Sequence, residues 1–217
     1  NIQSLSEART FTVTTGHQLN IFTGPLYFLF KLITTINLSK KLKAHYPDYH
    51  FIPVYWMATE DHDFEEISCF NMFGKKYQWT TEQTGAVGRF DPSSLAEVLD
   101  HVRENVELFE KAYGRFETLA DSVRFYVNEL FGSEGLMVVD GDDRQLKAQF
   151  APIMKDDILH KNAYQRVKQT NEQLLDLGYK SQAFSRPINF FYLDDFRRRI
   201  ISDGENFSVV DSDIKFT

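Results

Sequence analysis

The chain has 217 residues, of which 42% are hydrophobic and 25% charged, and its formal charge is −7. This is the composition of an ordinary globular protein, long enough to bury a full core without staples, and the acidic balance argues against a general nucleic-acid binder. The single cysteine, Cys69, excludes an internal disulfide and fits a reducing compartment. No apolar run reaches the ~18 residues needed to span a membrane, and no signal-peptide pattern opens the chain. The expectation is a cytoplasmic protein with one large domain.

In chain order, residues 11–15 (FTVTT) predict a first strand, and Gly16 a turn. Thr23-Gly24-Pro25 reads as a helix start, with proline in the first turn where its missing N–H costs nothing. Leu26, Leu29, Phe30, Ile33 and Leu38 then follow helical spacing to about Ala44, and Lys40, Lys41 and Lys43 suit the end of a helix dipole. Residues 50–58 are almost continuously apolar, the mark of a strand buried on both faces. Strand, helix and strand at this spacing make a βαβ unit with parallel strands.

Residues 67–73 and 77–81 around Gly74 read as a hairpin, inside a connecting segment of about 67–131 inserted into the parallel core. Residues 93–131 predict two helices broken near Gly114. Residues 135–140 (GLMVVD) predict a third core strand, helices follow at about 144–158 and 161–177, and Gly178 suits the C-terminal cap. The stretch 182–210 reads as strands, which gives an α/β fold with a C-terminal antiparallel β portion. The chain stops at Lys215-Phe216-Thr217, where the threonine reads as the N-cap of a helix to follow; a domain cut from a longer chain is expected. Most of the 20 phenylalanines read as core packing.

Parallel strands end on one edge of a sheet, so Thr15–Asn20 and Glu60–Glu66 are expected to face a shared crevice, where open α/β sheets bind ligands. In TGHQ, backbone N–H groups at Gly16 and side-chain donors of His17 and Gln18 would sit beside a helix N-terminus, an arrangement that attracts anions; an ordinary glycine turn with a solvated His and Gln is the alternative. Neither a P-loop nor GxGxxG is present. Glu60, Asp61, His62, Asp63, Glu65 and Glu66 place five carboxylates and one imidazole within seven positions, a density suited to acid–base work or to holding a cation. His62 and Glu66 would share a helix face and could chelate a metal; Asp63 and Glu66 equally fit a capping box. Asp140, Asp142 and Asp143 could meet a ribose, an amine or a metal, or simply form a turn into a helix. Arg186 and Asn189 are polar residues in an apolar strand, where Pro187 also fits an edge or bulge. Cys69 reads as a small buried hydrophobe, and Arg197-Arg198-Arg199 as a solvated turn.

TGHQLNIFTGPLYFLFK, PVYWMATEDHDFEE, GLMVVDGDDRQLKAQFAPI and GYKSQAFSRPINFFYL together resemble the bacillithiol-biosynthesis cysteine-adding enzymes, a cysteine ligase family. His17 stands where that family pattern leads one to expect glutamine. The resemblance implies a Rossmann-like core similar to the catalytic domains of class I aminoacyl-tRNA synthetases, followed in the full family protein by a helical coiled-coil region. The implied reaction joins the carboxyl group of L-cysteine to the amine of glucosaminyl-malate. Those two small molecules would be the partners, with no nucleic acid, no membrane and a homodimer formed through the absent segments. ATP or another nucleotide is the cofactor that carboxylate activation implies, and no metal is implied. On this view Thr15, Gly16, His17, Gln18, Asn20, Gly24 and Tyr27 border the nucleotide and Lys31 has only a packing or distant electrostatic role. Glu60, Asp61, His62 and Asp63 hold or deprotonate an amine, with His62 or Asp63 as the base. Asp140, Asp142, Asp143, Arg186 and Asn189 contact substrate hydroxyls or nucleotide. A divalent-metal phosphoester hydrolase built on Asp61, His62, Asp63 and Asp140, and a non-enzymatic ligand-binding domain, are the alternatives.

Overall fold

The computed structural model describes residues 2–102 and 106–216. Thr10–His17 (β1), Leu26–His45 (α1) and His50–Met57 (β2) form the βαβ unit. Phe64–Ile67 (α2) is one turn of helix, and Cys69–Met72 (β3) and Lys75–Gln78 (β4) make the hairpin. Its two-residue turn, Phe73-Gly74, has φ of +50° and +76°, the left-handed pair that matches strand twist. Ala96–Leu99 (α3), Glu107–Arg115 (α4) and Leu119–Phe131 (α5) then lead into Met137–Asp140 (β5).

β1, β2 and β5 form one parallel sheet in the order β1-β2-β5. β2 is central, and Tyr55 and Met57 on it are fully enclosed. α1 buries Phe28, Leu32 and Ile36 at i, i+4 and i+8, and the Phe28 and Tyr55 rings meet edge-on at 5.3 Å. Val123, Tyr126 and Val127 of α5 join the same core cluster. Both crossover helices therefore cover one face of the sheet, as right-handed connections running in one direction require. Trp79 of the hairpin segment, Val87 and Leu95 extend that core.

The turn after β1 lies elsewhere than Gly16. Gly16 is inside β1, opposite Trp56, and the chain reverses at Phe22, Thr23 and Gly24, with φ of +53°, +67° and +57°. Two of these are non-glycine residues, each costing about 1–3 kcal/mol in the left-handed region. Two buried tyrosines from the inserted segment hold them there. The Phe22 N–H donates to Tyr113 Oη (2.9 Å), and Tyr126 Oη donates to the Asn20 carbonyl (3.1 Å).

The helical segment also differs from its prediction. Gly114 lies within α4, and the break comes at Phe116–Thr118, where Thr118 accepts from the Asp121 N–H as N-cap of α5. The predicted first helix shrinks to α3 and α4, and its portion at 103–105 lies outside the described residues.

The chain divides into two compact units, Asn1–Asp142 and Asp143–Thr217. The second contains Arg144–Gln149 (α6), Ala151–His160 (α7), Asn162–Asp176 (α8) and an antiparallel sheet of Phe191–Leu193 (β6), Arg197–Ser202 (β7), Phe207–Val209 (β8) and Lys215–Phe216 (β9), in that order. Gly178, at φ +84°, closes α8 by donating to the Leu175 carbonyl. The run 182–190 is not a strand. Arg197-Arg198-Arg199 is strand, not turn. Thr217, read as a helix cap, lies outside the described residues.

Gly88 brings the inserted segment against the loop that follows β2. Its N–H donates to the Thr59 carbonyl at 2.9 Å, and a Cβ there would sit 2.6–2.9 Å from Thr59 Cβ, O and Cα. Gly88→Ala is expected to cost about 1–3 kcal/mol through overpacking against backbone, read as a lower urea midpoint with an unchanged m-value. An unchanged midpoint would show that this approach is not tight.

Candidate functional site

The C-terminal ends of all three parallel strands are level. His17 pairs with Met57, and Met57 with Asp140. The loops continue that alignment: the Ala58 N–H donates to the His17 carbonyl and the Gly141 N–H to the Met57 carbonyl, both at 3.1 Å. The TGHQ corner, the acidic corner and the Asp140 corner thus leave the sheet side by side. Asn20 ties the first two together, its Nδ2 donating to the Glu66 carbonyl at 3.0 Å.

At the first corner His17 is buried, stacked on Tyr27 and edge-on to Phe28, each at 5.1 Å. The Gln18 N–H points at His17 Nδ1 (2.8 Å), which suits a ring protonated on Nε2, whereas Gln18 Oε1, an acceptor 3.0 Å from the same nitrogen, suits a proton on Nδ1; Nε2 is buried without a hydrogen-bond partner. Burial lowers the His17 pKa; the Gln18 contact and Glu66 oppose the shift, and Lys31 adds to it. Lys31 is tied to this corner. Its Nζ donates to the Gly16 carbonyl (3.2 Å) and lies 5.7 Å from the centre of the half-exposed Tyr27 ring. Pro25 precedes α1 with no side-chain cap; the Phe28 N–H donates to the Pro25 carbonyl at 2.9 Å, which leaves the Leu26 and Tyr27 N–H groups with capacity for an anion. Thr15 lies on the α1 face of β1, while Gly24 sits against Asn20, where a Cβ would collide with that side chain.

At the acidic corner the carboxylates divide by role. Asp63 Oδ1 accepts from the Glu66 N–H (3.2 Å) as N-cap of α2, and Asp61 Oδ1 accepts from the His62 N–H (2.8 Å). Because α2 begins at Phe64, His62 and Glu66 do not share a helix face, contrary to the chelate reading. His62 Nδ1 lies 3.0 Å from the Glu60 carbonyl, which can only accept. Nδ1 therefore carries the proton and Nε2 the lone pair. Nε2 and Glu60 Oε2 are both buried without a partner. Gly141 makes room here: a Cβ would collide with the Glu60 carboxylate and crowd the Met57 carbonyl and Trp56 Nε1.

Asp140 and Asp142 are held by protein groups. Thr59 Oγ1 donates to Asp140 and accepts from the Asp142 N–H (2.8 Å); Arg124 reaches Asp140 at 3.4 Å and Arg89 reaches Asp142 at 2.6 Å. Among the described residues no group of three or more His, Cys, Asp and Glu side chains is arranged to hold a metal. Asp143, Arg186 and Asn189 belong to the second unit. Asp143 caps α6, accepting from the Gln145 and Leu146 N–H groups at 2.9 Å. Arg186 and Asn189 close a turn on each other, with bonds of 2.8 and 2.7 Å, and are not in a strand as the sequence predicts.

The family model "Bacillithiol biosynthesis BshC, N-terminal Rossmann-like domain" matches residues 1–217. The chain belongs to this family. It is 47% identical to a Flavobacterium johnsoniae protein named "Putative cysteine ligase BshC", over all of this chain and 43% of that one. Proteins of the same name from Cytophaga hutchinsonii and Salinibacter ruber are 42% and 32% identical, over 100% and 95% of this chain and 42% and 41% of their own. The chain thus spans less than half the length of these BshC relatives. No helix among the described residues is long and apolar enough to cross a membrane.

Sequence reasoning gave Lys31 only a packing or distant electrostatic role and missed Thr59, Arg89 and Arg124. Thr59 had a signal, standing between the buried strand and the acids. The two arginines had none, because only the folded insertion brings them to β5.

The buried His17 has a direct consequence for this BshC domain. Its pKa is lower folded than unfolded, so as pH falls through about 6.5 the unfolded chain takes up a proton that the folded chain refuses. The contribution of His17 to stability is complete above that pH and is lost on acidification. His17→Gln is expected to flatten the fall in urea midpoint between pH 7.5 and 5.5. An identical fall in both proteins would show that His17 is not the responsible group.

Proposed function

We propose that this crevice serves a ligase that joins the carboxyl group of L-cysteine to the amine of glucosaminyl-malate, forming the amide of bacillithiol. The observation that carries the proposal is the pairing of two unlike corners on one strand-end edge. One would offer donors for an anion: His17 in its Nε2–H tautomer, the uncapped first turn of α1, and Lys31. The other offers acceptors for an amine: Glu60 Oε2 and His62 Nε2. The relatives' printed name, a cysteine ligase, supplies the reaction class.

A free carboxylate does not form an amide without activation, and a nucleotide such as ATP supplies the phosphoryl or adenylyl group when bound. The donors of the first corner fit its phosphate, since a neutral imidazole N–H, backbone N–H groups and an ammonium all favour negative charge. At the second corner the substrate amine, as its free base, donates to Glu60. His62 Nε2 takes one proton as the amine attacks the activated carbonyl and the bond from that carbonyl to the phosphoryl or adenylyl oxygen breaks, releasing phosphate or AMP, while the Glu60 carbonyl at Nδ1 keeps the ring in the basic tautomer. Asp63, spent as the α2 cap, positions the acidic loop, and Asp61 fixes the His62 backbone. A metal-dependent hydrolase has no supporting observation, because Asp140 is bound by Thr59 and Arg124.

The test uses the full-length protein that contains these residues, with ATP, L-cysteine and glucosaminyl-malate, reading bacillithiol by thiol labelling and mass spectrometry. His62→Gln is expected to lower turnover about 10²–10⁴-fold while leaving the circular dichroism spectrum and melting temperature unchanged. Full activity in that variant would remove His62 as the base. No bacillithiol from the unaltered protein would end the ligase reading.

A further inference from the structure

One residue of β2 is used neither by the core nor by the chemistry described above. Side chains alternate along a strand, so Ile52, Val54 and Trp56 turn to the face of the sheet opposite Tyr55 and Met57. Ile52 and Val54 are 2% and 5% exposed, whereas Trp56 is 37% exposed. The cover over this face therefore stops short of the strand end, and an indole is left bare where β2 enters the crevice. Its partner on β1 is Gly16, and among the described residues a Cβ added there would meet nothing nearer than the Trp56 carbonyl at 3.8 Å. The floor beside the indole thus carries no side chain.

The polar edge of the indole is turned toward Gly141. Trp56 Nε1 and Glu60 Oε2 each lie under 3.0 Å from the point that a Gly141 Cβ would occupy, so they are less than twice that distance apart. Glu60 Oε2 has no hydrogen-bond partner, so the indole does not satisfy it, and among the described residues the indole N–H has no acceptor. One donor and one acceptor stand side by side, both unspent. Hydrogen bonds of about 2.9 Å drawn from such a pair end on two ligand atoms close enough to sit on adjacent carbons. The ligand atom at Glu60 donates, as an amine does, and the one at Trp56 accepts, as a hydroxyl oxygen does. A ligand with only one of these groups leaves the other half of the pair unmatched, which costs affinity. An α-amino acid has the same spacing, but its acceptor is a carboxylate, which Glu60 repels.

We infer that Trp56 is a specificity-determining residue: with Glu60 it selects an amine whose neighbouring carbon carries a hydroxyl, the arrangement of a 2-amino sugar. The sugar ring packs on the exposed indole face beside Gly16. Its hydroxyl accepts from Trp56 Nε1–H, and its amine donates to Glu60 Oε2. The pair thereby decides which substrate presents its amine at this corner: the amino sugar and not cysteine. The place of that sugar in a reaction rests on the ligase reading, whereas its binding does not.

The experiment uses the full-length protein without ATP or cysteine and follows Trp56 fluorescence, taken as the difference from Trp56→Phe. Trp79 gives no competing signal, because it is buried and its Nε1–H donates to Ser94. Methyl glucosaminide is expected to shield Trp56 from iodide quenching in a saturable manner. Its 3-deoxy analogue, which lacks the hydroxyl next to the amine, and methyl glucoside, which lacks the amine, are expected to bind about tenfold more weakly by calorimetry. Trp56→Phe keeps a ring and loses the N–H, so it is expected to bind the glucosaminide and the 3-deoxy analogue alike. The comparison of the three sugars needs only the unaltered protein and stands even where the variant fails to fold. No shielding would show that the pair holds only solvent and would overturn the inference. Equal binding of the three sugars, a preference that survives in Trp56→Phe, or shielding by cysteine at lower concentration than by the glucosaminide would overturn it too. Shielding without bacillithiol formation ends the ligase reading and leaves this inference standing; bacillithiol formation without shielding ends this inference alone.

Discussion

The level ending of three parallel strands is the constraint on which the rest depends. β2 cannot slip by one residue against its neighbours, because side chains alternate faces and the shift would turn Tyr55 and Met57 out of the core. With that register fixed, the first N–H beyond β2 meets the last carbonyl of β1, and the first beyond β5 meets the last of β2. Each loop starts where the previous strand has just stopped. Three polar corners far apart in sequence are thereby stacked at sheet spacing, about 4.8 Å from one strand to the next.

The inserted segment serves that edge instead of standing apart from it. Gly88 presses on Thr59, Arg89 and Arg124 reach Asp142 and Asp140, and Tyr113 and Tyr126 hold the turn after β1. Burial raises the pKa of both tyrosines, so they stay neutral phenols that donate and accept. The arginines are partly exposed, so their ion pairs add little stability on their own. Their effect is on charge: Asp140 and Asp142 are matched within the protein, and Glu60 is left as a carboxylate with an unpartnered oxygen.

This division explains what could be read from residue order. The βαβ unit was legible because FTVTT and HFIPVYWMA are strands by composition and the helix between them has a clear buried period. The hairpin was legible from Gly74, and the family from four blocks spread along the chain. Gly16 misled because glycine usually punctuates, yet here it sits mid-strand in ordinary extended backbone, where an added Cβ would make only a normal 3.8 Å contact. The true turn uses Phe22 and Thr23, residues that rarely adopt positive φ, and the hydrogen bonds that hold the loop there come from partners 91 and 106 residues away. No local pattern carries that information. The same holds for Arg186 and Asn189, whose apolar surroundings imitate a strand while the Asn189 side chain closes a turn on the Arg186 backbone.

Within the acidic corner, composition marked the place but not the roles, since five carboxylates look alike until their lone pairs are assigned. A carboxylate that caps a helix or accepts a neighbouring N–H has part of its capacity committed, and its position is fixed by that bond. Asp63 and Asp61 are of this kind. Glu60 and His62 differ: the Glu60 backbone carbonyl meets His62 Nδ1, and Glu60 Oε2 and His62 Nε2 are each left without a partner. Two unpartnered polar atoms inside a protein are costly unless something compensates them. In the proposed ligase they would form the negative side of a crevice whose positive side is the α1 start. An amino acid is a zwitterion, and a bipolar crevice would favour it over a simple anion or a simple cation by matching both ends at once.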